Sequence, residues 1–137
     1  MKSLKIFFML LTATGIFSCD ENEIMPRYQK KGTVTSTVAT ITSSNAKPAK
    51  AADITITLKY VNPTADPLKS IELKAKIGSG TYTTIQTFDA QSDAKDSEVI
   101  RQVTYTTPNT AGTVTFDMVI TSQMPYPQVV RSAVSVQ

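Results

Sequence analysis

Strict alternation of apolar and polar residues in short runs is the feature that most constrains the fold of this chain. In the run DITITLKYV, residues 53–61, every second residue from Ile54 to Tyr60 is apolar. A period of two gives a strand one apolar face and half-buries it. The runs KSIELKAKI and GTVTFDMVI, residues 69–77 and 112–120, repeat the pattern. The sequence therefore predicts an all-β protein.

Four weaker runs complete the set of predicted strands. They are TVTSTVATIT, TYTTIQTF, EVIRQVTYT and VVRSAVSV, residues 33–42, 81–88, 98–106 and 129–136. Asn-Pro, Asp-Pro and Gly-Ser-Gly turn signals separate the runs, and no segment has a helical period. About seven strands at this spacing favour a single antiparallel β-sandwich, with a small β-barrel as the alternative.

Side-chain positions within these strands add three expectations. Tyr60, Tyr82 and Tyr105 lie on strand faces that should be buried, so we expect them in the core. Arg101 interrupts the apolar face of its strand, which indicates either an open sheet edge or a side chain that extends to solvent. The alternation in 33–42 changes phase between Val38 and Ile41, as a β-bulge would cause.

The order and lengths of these runs resemble those of immunoglobulin-like (Ig-like) or fibronectin type III-like domains. The stretch TPNTAGTVTFDMVIT, residues 107–121, is similar to the sixth strand and its lead-in in bacterial Ig-like repeats. This resemblance implies one Ig-like β-sandwich domain over residues 33–137.

The N-terminus has the pattern of an export signal. A basic start, MKSLK, precedes an uncharged apolar run from Ile6 to Phe17. That run is too short to span a bilayer, which takes about 20 residues, and is typical of a secretory signal peptide. A cytosolic core helix is the weaker interpretation, because no amphipathic period follows.

The end of this run, Ile16-Phe17-Ser18-Cys19, resembles the lipobox of bacterial lipoproteins, although Phe17 departs from the usual small residue. The resemblance implies that residues 1–18 are removed and that Cys19 carries lipid, so the membrane is a partner. Residues 19–32 are then the lipidated N-terminus and a flexible tether.

Asp20, Glu21 and Glu23 directly follow the cysteine. This acidic run resembles the surface-export signal of lipoproteins in the Bacteroidota and implies an outer-membrane location facing outward. An acidic run that only keeps the tether solvated, and a periplasm-facing protein, are the alternatives.

Composition limits the chemistry that we expect. The chain has no His and one Cys, so it lacks the usual general base and cannot close a disulfide within itself. We predict no catalytic residue, metal or cofactor, and a protein that is not an enzyme. Without Lys2 and Lys5, the chain has 12 basic and 11 acidic side chains. This nearly neutral balance does not favour binding to nucleic acid.

Two loops are candidate sites. The acidic residues Asp89, Asp93, Asp96 and Glu98 could hold calcium, but their spacing fits no EF-hand and favours a solvated loop. In QMPYP, the side chains of Met124 and Tyr126 could contact a ligand. The preferred interpretation there is a tight turn in which Tyr126 folds back over the core.

Together these features predict a lipid-anchored, non-catalytic cell-surface module that binds or scaffolds an unknown partner. The alternative is a glycan-binding accessory lipoprotein of a polysaccharide-uptake system. Both follow from the resemblance to small surface lipoproteins of the Bacteroidota.

Overall fold

The computed structural model describes residues 39–137. The predictions for the signal peptide, Cys19 and the acidic run at 20–23 lie outside these residues. Seven strands follow one another in the described part: β1 (Thr40–Ser43), β2 (Asp53–Val61), β3 (Leu68–Ile77), β4 (Thr83–Asp89), β5 (Glu98–Thr106), β6 (Gly112–Ser122) and β7 (Gln128–Val136). Within residues 39–137 no helix could cross a membrane.

The strands form two antiparallel sheets that face each other. One sheet has three strands in the order β1-β2-β5, and the other has four in the order β4-β3-β6-β7. Every neighbouring pair of strands is antiparallel. The prediction of a single all-β, Ig-like antiparallel sandwich of about seven strands is thus confirmed. The alternative of a small β-barrel is wrong, because the strands form two separate sheets and not one closed sheet.

The core lies between the sheets and is built from the alternating residues that defined the predicted strands. Leu58, Leu73, Phe116 and Met118 are fully buried within it. Tyr60 is buried as predicted, and the Tyr105 ring meets the Phe116 ring edge to face with centroids 5.0 Å apart. Burial of these side chains contributes about 1.5–3 kcal/mol each, which makes the core the main stabilising element of the fold.

One side of the sandwich, where β1 and β7 meet, is closed by the chain itself. After β1 the segment 44–48 crosses to the other sheet and lies beside β7. The amide of Ser135 donates to the carbonyl of Ala46 at 2.9 Å, and that of Gln137 donates to the carbonyl of Pro48 at 3.0 Å. The residue numbers of the bonded partners rise in the same direction along both segments, so this short pairing is parallel.

The other side, between the edge strands β4 and β5, is open. The apolar side chains that point inward there are only partly buried: Ile85, Phe88, Val99, Val103 and Tyr105. The register between β3 and β4 skips Ile85, so a β-bulge turns this side chain toward the core. The predicted bulge near Val38 falls partly outside the described residues.

Candidate functional site

Three loops lie together at one end of the sandwich. Val61 at the end of β2 pairs with Glu98 at the start of β5, and Leu68 at the start of β3 pairs with Ser122 at the end of β6. Because neighbouring strands are antiparallel, the loops 62–67, 90–97 and 123–127 all project from this end. We call the first two the loop pair and the third the tyrosine loop.

Asn62 holds the loop pair together. Its side chain is fully buried, and its amide nitrogen donates to the carbonyls of Ala90 at 2.9 Å and Asp93 at 3.1 Å. Its amide oxygen accepts from the backbone nitrogen of Leu68 at 2.9 Å. One side chain therefore satisfies three backbone groups, two in the loop 90–97 and one at the start of β3, which fixes both loops relative to β3.

A second polar cluster fastens the loop 90–97 to the sheet. Asp93, with 7% of its side chain exposed, forms an ion pair with Arg101, and it accepts a hydrogen bond from the Tyr60 hydroxyl at 2.7 Å. Burial, with the Asp93 hydrogen bond adding to it, raises the pKa of Tyr60 to about 12. Arg101 therefore lies on an open edge strand, as predicted, but its charged end turns to a buried carboxylate.

The carboxylates of this acidic loop have internal partners. Asp96 accepts from both the backbone nitrogen and the hydroxyl of Thr64, which lowers the pKa of Asp96. Asp89 accepts from the amide of Gln91 at 2.9 Å. Across residues 39–137, no three acidic or cysteine side chains are grouped to hold a metal ion. The loop is largely exposed, as its composition predicted, but the side chain of Asp93 is turned inward and is 7% exposed.

Asp66 is the exception within the loop pair. It is 2% exposed, and neither carboxylate oxygen has a hydrogen-bond partner in the described part of the chain. An unpaired buried carboxylate is costly, so this residue weakens the loop pair.

The tyrosine loop presents its aromatic ring to solvent. Tyr126 is 82% exposed, whereas Met124 is half-buried. Pro125 and Pro127 flank the tyrosine, and the amide of Met124 donates to the buried Ser122 hydroxyl at 3.1 Å. The preferred prediction, in which Tyr126 folds back over the core, is therefore wrong. The ring is placed where a ligand can reach it.

Tyr82 also differs from its prediction. It precedes β4 and lies on the outer face of the four-stranded sheet, with Lys76 4.9 Å and Arg131 5.8 Å from its ring centroid. The guanidinium of Arg131 donates two hydrogen bonds to the carboxylate of Asp117, each 2.7 Å long. These bonds lower the pKa of Asp117. This ion pair joins the neighbouring strands β6 and β7 on the outer face of the sheet.

The open side of the sandwich holds a shallow cleft of about 290 Å³, far from the tyrosine loop. Ala75, Ile85 and Tyr105 are among the residues that line it. Sequence reasoning did not find this cleft. The available signal was that two apolar runs, 81–88 and 98–106, both form edge strands on the same side.

Comparison with known proteins identifies the fold and no family. No protein-family model matches the chain, and no curated protein matches it. A solved structure of a single-substitution variant of the superoxide reductase (neelaredoxin) from Ignicoccus hospitalis is similar, with 12% identity and a TM-score of 0.58 over 81% of this chain and 87% of that one. The structure named without a substitution has 12% identity and a TM-score of 0.53 over 72% and 80%. A second variant gives the same identity and TM-score over 72% and 79%.

This likeness contradicts the prediction that the protein is not an enzyme. An enzyme, a superoxide reductase, is built on a sandwich of this kind, so a small β-sandwich is no argument against catalysis. The absence of His excludes only the mechanisms that need that side chain. At 12% identity the likeness shows the fold alone, and it does not bring the reductase activity to this chain.

Proposed function

We propose that this protein is a lipid-anchored outer-membrane surface protein whose Ig-like domain binds a protein partner through the tyrosine loop. The observation that carries the proposal is the exposure of Tyr126, at 82%, in a loop between two strands. A large ring with a hydroxyl at its tip is a common anchor in protein interfaces.

The surroundings of Tyr126 support this role. Pro125 and Pro127 restrict the backbone on both sides, so the loop loses less conformational freedom when a partner orders it. The loop pair beside it is held by Asn62 and by the Asp93–Arg101 ion pair. A restricted loop next to a fixed surface is favourable for binding, because little of the interaction free energy is spent on ordering.

Binding is tested with the soluble chain, residues 20–137, immobilised and exposed to solubilised outer membrane. We expect one membrane protein to be retained by the wild type and retention to fall at least tenfold with Tyr126→Ala. Ile100→Ala is the matched control, since Ile100 is 51% exposed but lies on the outer face of the three-stranded sheet. Equal retention by wild type and Tyr126→Ala would refute the proposed contact.

A glycan-binding accessory role is the second candidate, since an exposed ring can also stack on a sugar. Stacking needs only the ring, so Tyr126→Phe should keep polysaccharide retention and Tyr126→Ala should lose it. A protein interface that uses the hydroxyl would be weakened by both changes. Retention on polysaccharide that is indifferent to residue 126 rules out this candidate.

The anchor is tested separately in cells. Labelling with a palmitate analogue should mark the wild type and spare Cys19→Ser. Protease treatment of intact cells then reports orientation, and replacement of Asp20, Glu21 and Glu23 by Ala should reduce cleavage. Equal labelling of the wild type and Cys19→Ser contradicts lipid attachment.

A further inference from the structure

The chain enters the domain at the same end that carries the tyrosine loop. Thr40, the first residue of β1, pairs with Lys59 near the end of β2, and β2 leads directly into the loop pair. The tyrosine loop projects from this same end. The hairpin turn 78–82 and the end of β7 lie at the opposite end, since Ile77 pairs with Val114 and Gly112 with Val136.

This placement limits how far the tyrosine loop can stand from a membrane that holds Cys19. Residues 20–38 separate Cys19 from Ala39, and a chain of this length spans at most about 70 Å when fully extended. Because residues 20–38 join the domain at the end that carries the tyrosine loop, this maximum distance from the membrane applies to that end in every orientation of the domain. The opposite end can lie a further ~33 Å away, the length of a ten-residue strand such as β3.

The chemistry of the loop indicates what it meets within that distance. Residues 123–127 carry no charge, and Tyr126 projects between two prolines. This end is not basic, because its exposed lysines are outnumbered by exposed acids: Lys69 and Lys95 against Asp89, Asp96 and Glu98. An anionic lipid surface attracts basic clusters, and this end supplies none. An uncharged, apolar pocket on a protein is the matching surface.

We propose that the tyrosine loop binds a protein embedded in the same membrane that holds Cys19, at a surface beside the bilayer. The inference rests on the proposed function above and adds to it the location and class of the partner. Attachment to the same membrane raises the effective concentration of the two proteins, so even a small contact through one loop is enough for binding.

Photocrosslinking in intact cells tests this with the full-length protein. One variant carries p-benzoylphenylalanine in place of Tyr126, and the control carries it in place of Ser79, which is exposed in the opposite hairpin turn. We expect the position-126 variant to crosslink at least tenfold more of one protein, identified by mass spectrometry, that resists extraction from the membrane by carbonate. Capture of a secreted protein at position 126 overturns this inference while leaving the proposed function intact. Capture of a polysaccharide at position 126 overturns both and favours the glycan-binding candidate. Capture of nothing at position 126 overturns both.

A second arm changes only the distance. Inserting about forty Gly/Ser residues after Gly32 lengthens the linking segment about threefold. This should lower the crosslink yield at position 126 about twofold, because the layer beside the membrane that the domain explores thickens roughly as the square root of the segment's length. A yield unchanged by the insertion contradicts a partner in the same membrane.

Discussion

The loop pair and the tyrosine loop lie at the same end of the sandwich but are held in opposite ways. The loop pair is tied inward by the fully buried Asn62 and by the Asp93–Arg101 ion pair. The tyrosine loop makes one hydrogen bond to Ser122 and turns its ring outward. The difference separates two tasks, since the loop pair closes the end of the core and the tyrosine loop is left free to make contact. Changes in the loop pair should therefore alter stability, and changes in the tyrosine loop should alter binding.

Replacement of Asn62 should have the largest effect on stability. Asn62→Ala leaves the amide of Leu68 and the carbonyl of Asp93 without the partner that Asn62 supplies, and it leaves the carbonyl of Ala90 with only the longer bond from the Asp93 amide at 3.3 Å. We expect a cost of about 3 kcal/mol. Urea denaturation of residues 20–137 measures this. The matched control is Asn45→Ala, because Asn45 is exposed and its side chain accepts one bond, from the amide of its near neighbour Lys47, so the loss should stay below about 1 kcal/mol. Similar losses for both variants would remove the distinction between the loop pair and an ordinary turn.

Alkaline pH should weaken the loop pair next. The folded pKa of Tyr60 is raised from 10.0 to about 12, so its contribution is complete below pH 10 and is lost as pH rises toward 12. The loss should approach about 2 kcal/mol in a series of denaturation curves. Tyr60→Phe should remove most of this decline. The smaller part that remains comes from Tyr82 and Tyr105, whose pKa values are also raised by burial. Identical pH profiles for the two proteins would show that Tyr60 is not responsible.

Asp66 offers a change of opposite sign within the loop pair. Because its carboxylate is buried without a hydrogen-bond partner, Asp66→Asn should stabilise the protein by about 1 kcal/mol, measured as a rise in Tm. Asp53→Asn is the control, since Asp53 is exposed and accepts from the Thr106 hydroxyl at 2.6 Å, so no gain is expected there. A fall in Tm for Asp66→Asn would contradict this prediction, because it would show that the ionised carboxylate stabilises the fold.

Removal of the exposed tyrosine should have the smallest effect on stability. Tyr126→Ala should change the free energy of unfolding by less than about 0.5 kcal/mol while abolishing partner retention. Tyr105→Ala, which removes a ring packed edge to face on Phe116, should cost about 2 kcal/mol and leave the tyrosine loop intact. A large loss of stability for Tyr126→Ala would place its ring in the core after all.

The strands were predictable because one face of each is at least partly buried. The observed bounds of β2 and β5 coincide with the runs 53–61 and 98–106, where the alternation is unbroken in the first run and interrupted by Arg101 in the second. Tyr82 was misplaced because it precedes β4, and because the bulge at Ile85 breaks the alternation used to assign its face. Periodicity assigns a face only where it is continuous.

The candidate site was less predictable than the strands. Asn62 reads in the sequence as the first residue of an Asn-Pro turn, and nothing nearby indicates partners 28 and 31 positions away. Arg101 could be read as a mark of an open edge, but its bond to Asp93 depends on tertiary structure. For Tyr126, both an inward and an outward ring suit the same Pro-Tyr-Pro sequence, so only the three-dimensional structure distinguishes them.

The short pairing between segment 44–48 and β7 has a mechanical consequence. The two segments are close to opposite ends of the described chain and run parallel through the bonds at Ala46 and Pro48. A force that pulls Ala39 away from Gln137 therefore slides the two segments past each other and loads both bonds at the same time. Bonds stretched together resist more than bonds opened one by one. Separation of the two segments by such a pull therefore requires both bonds to break together.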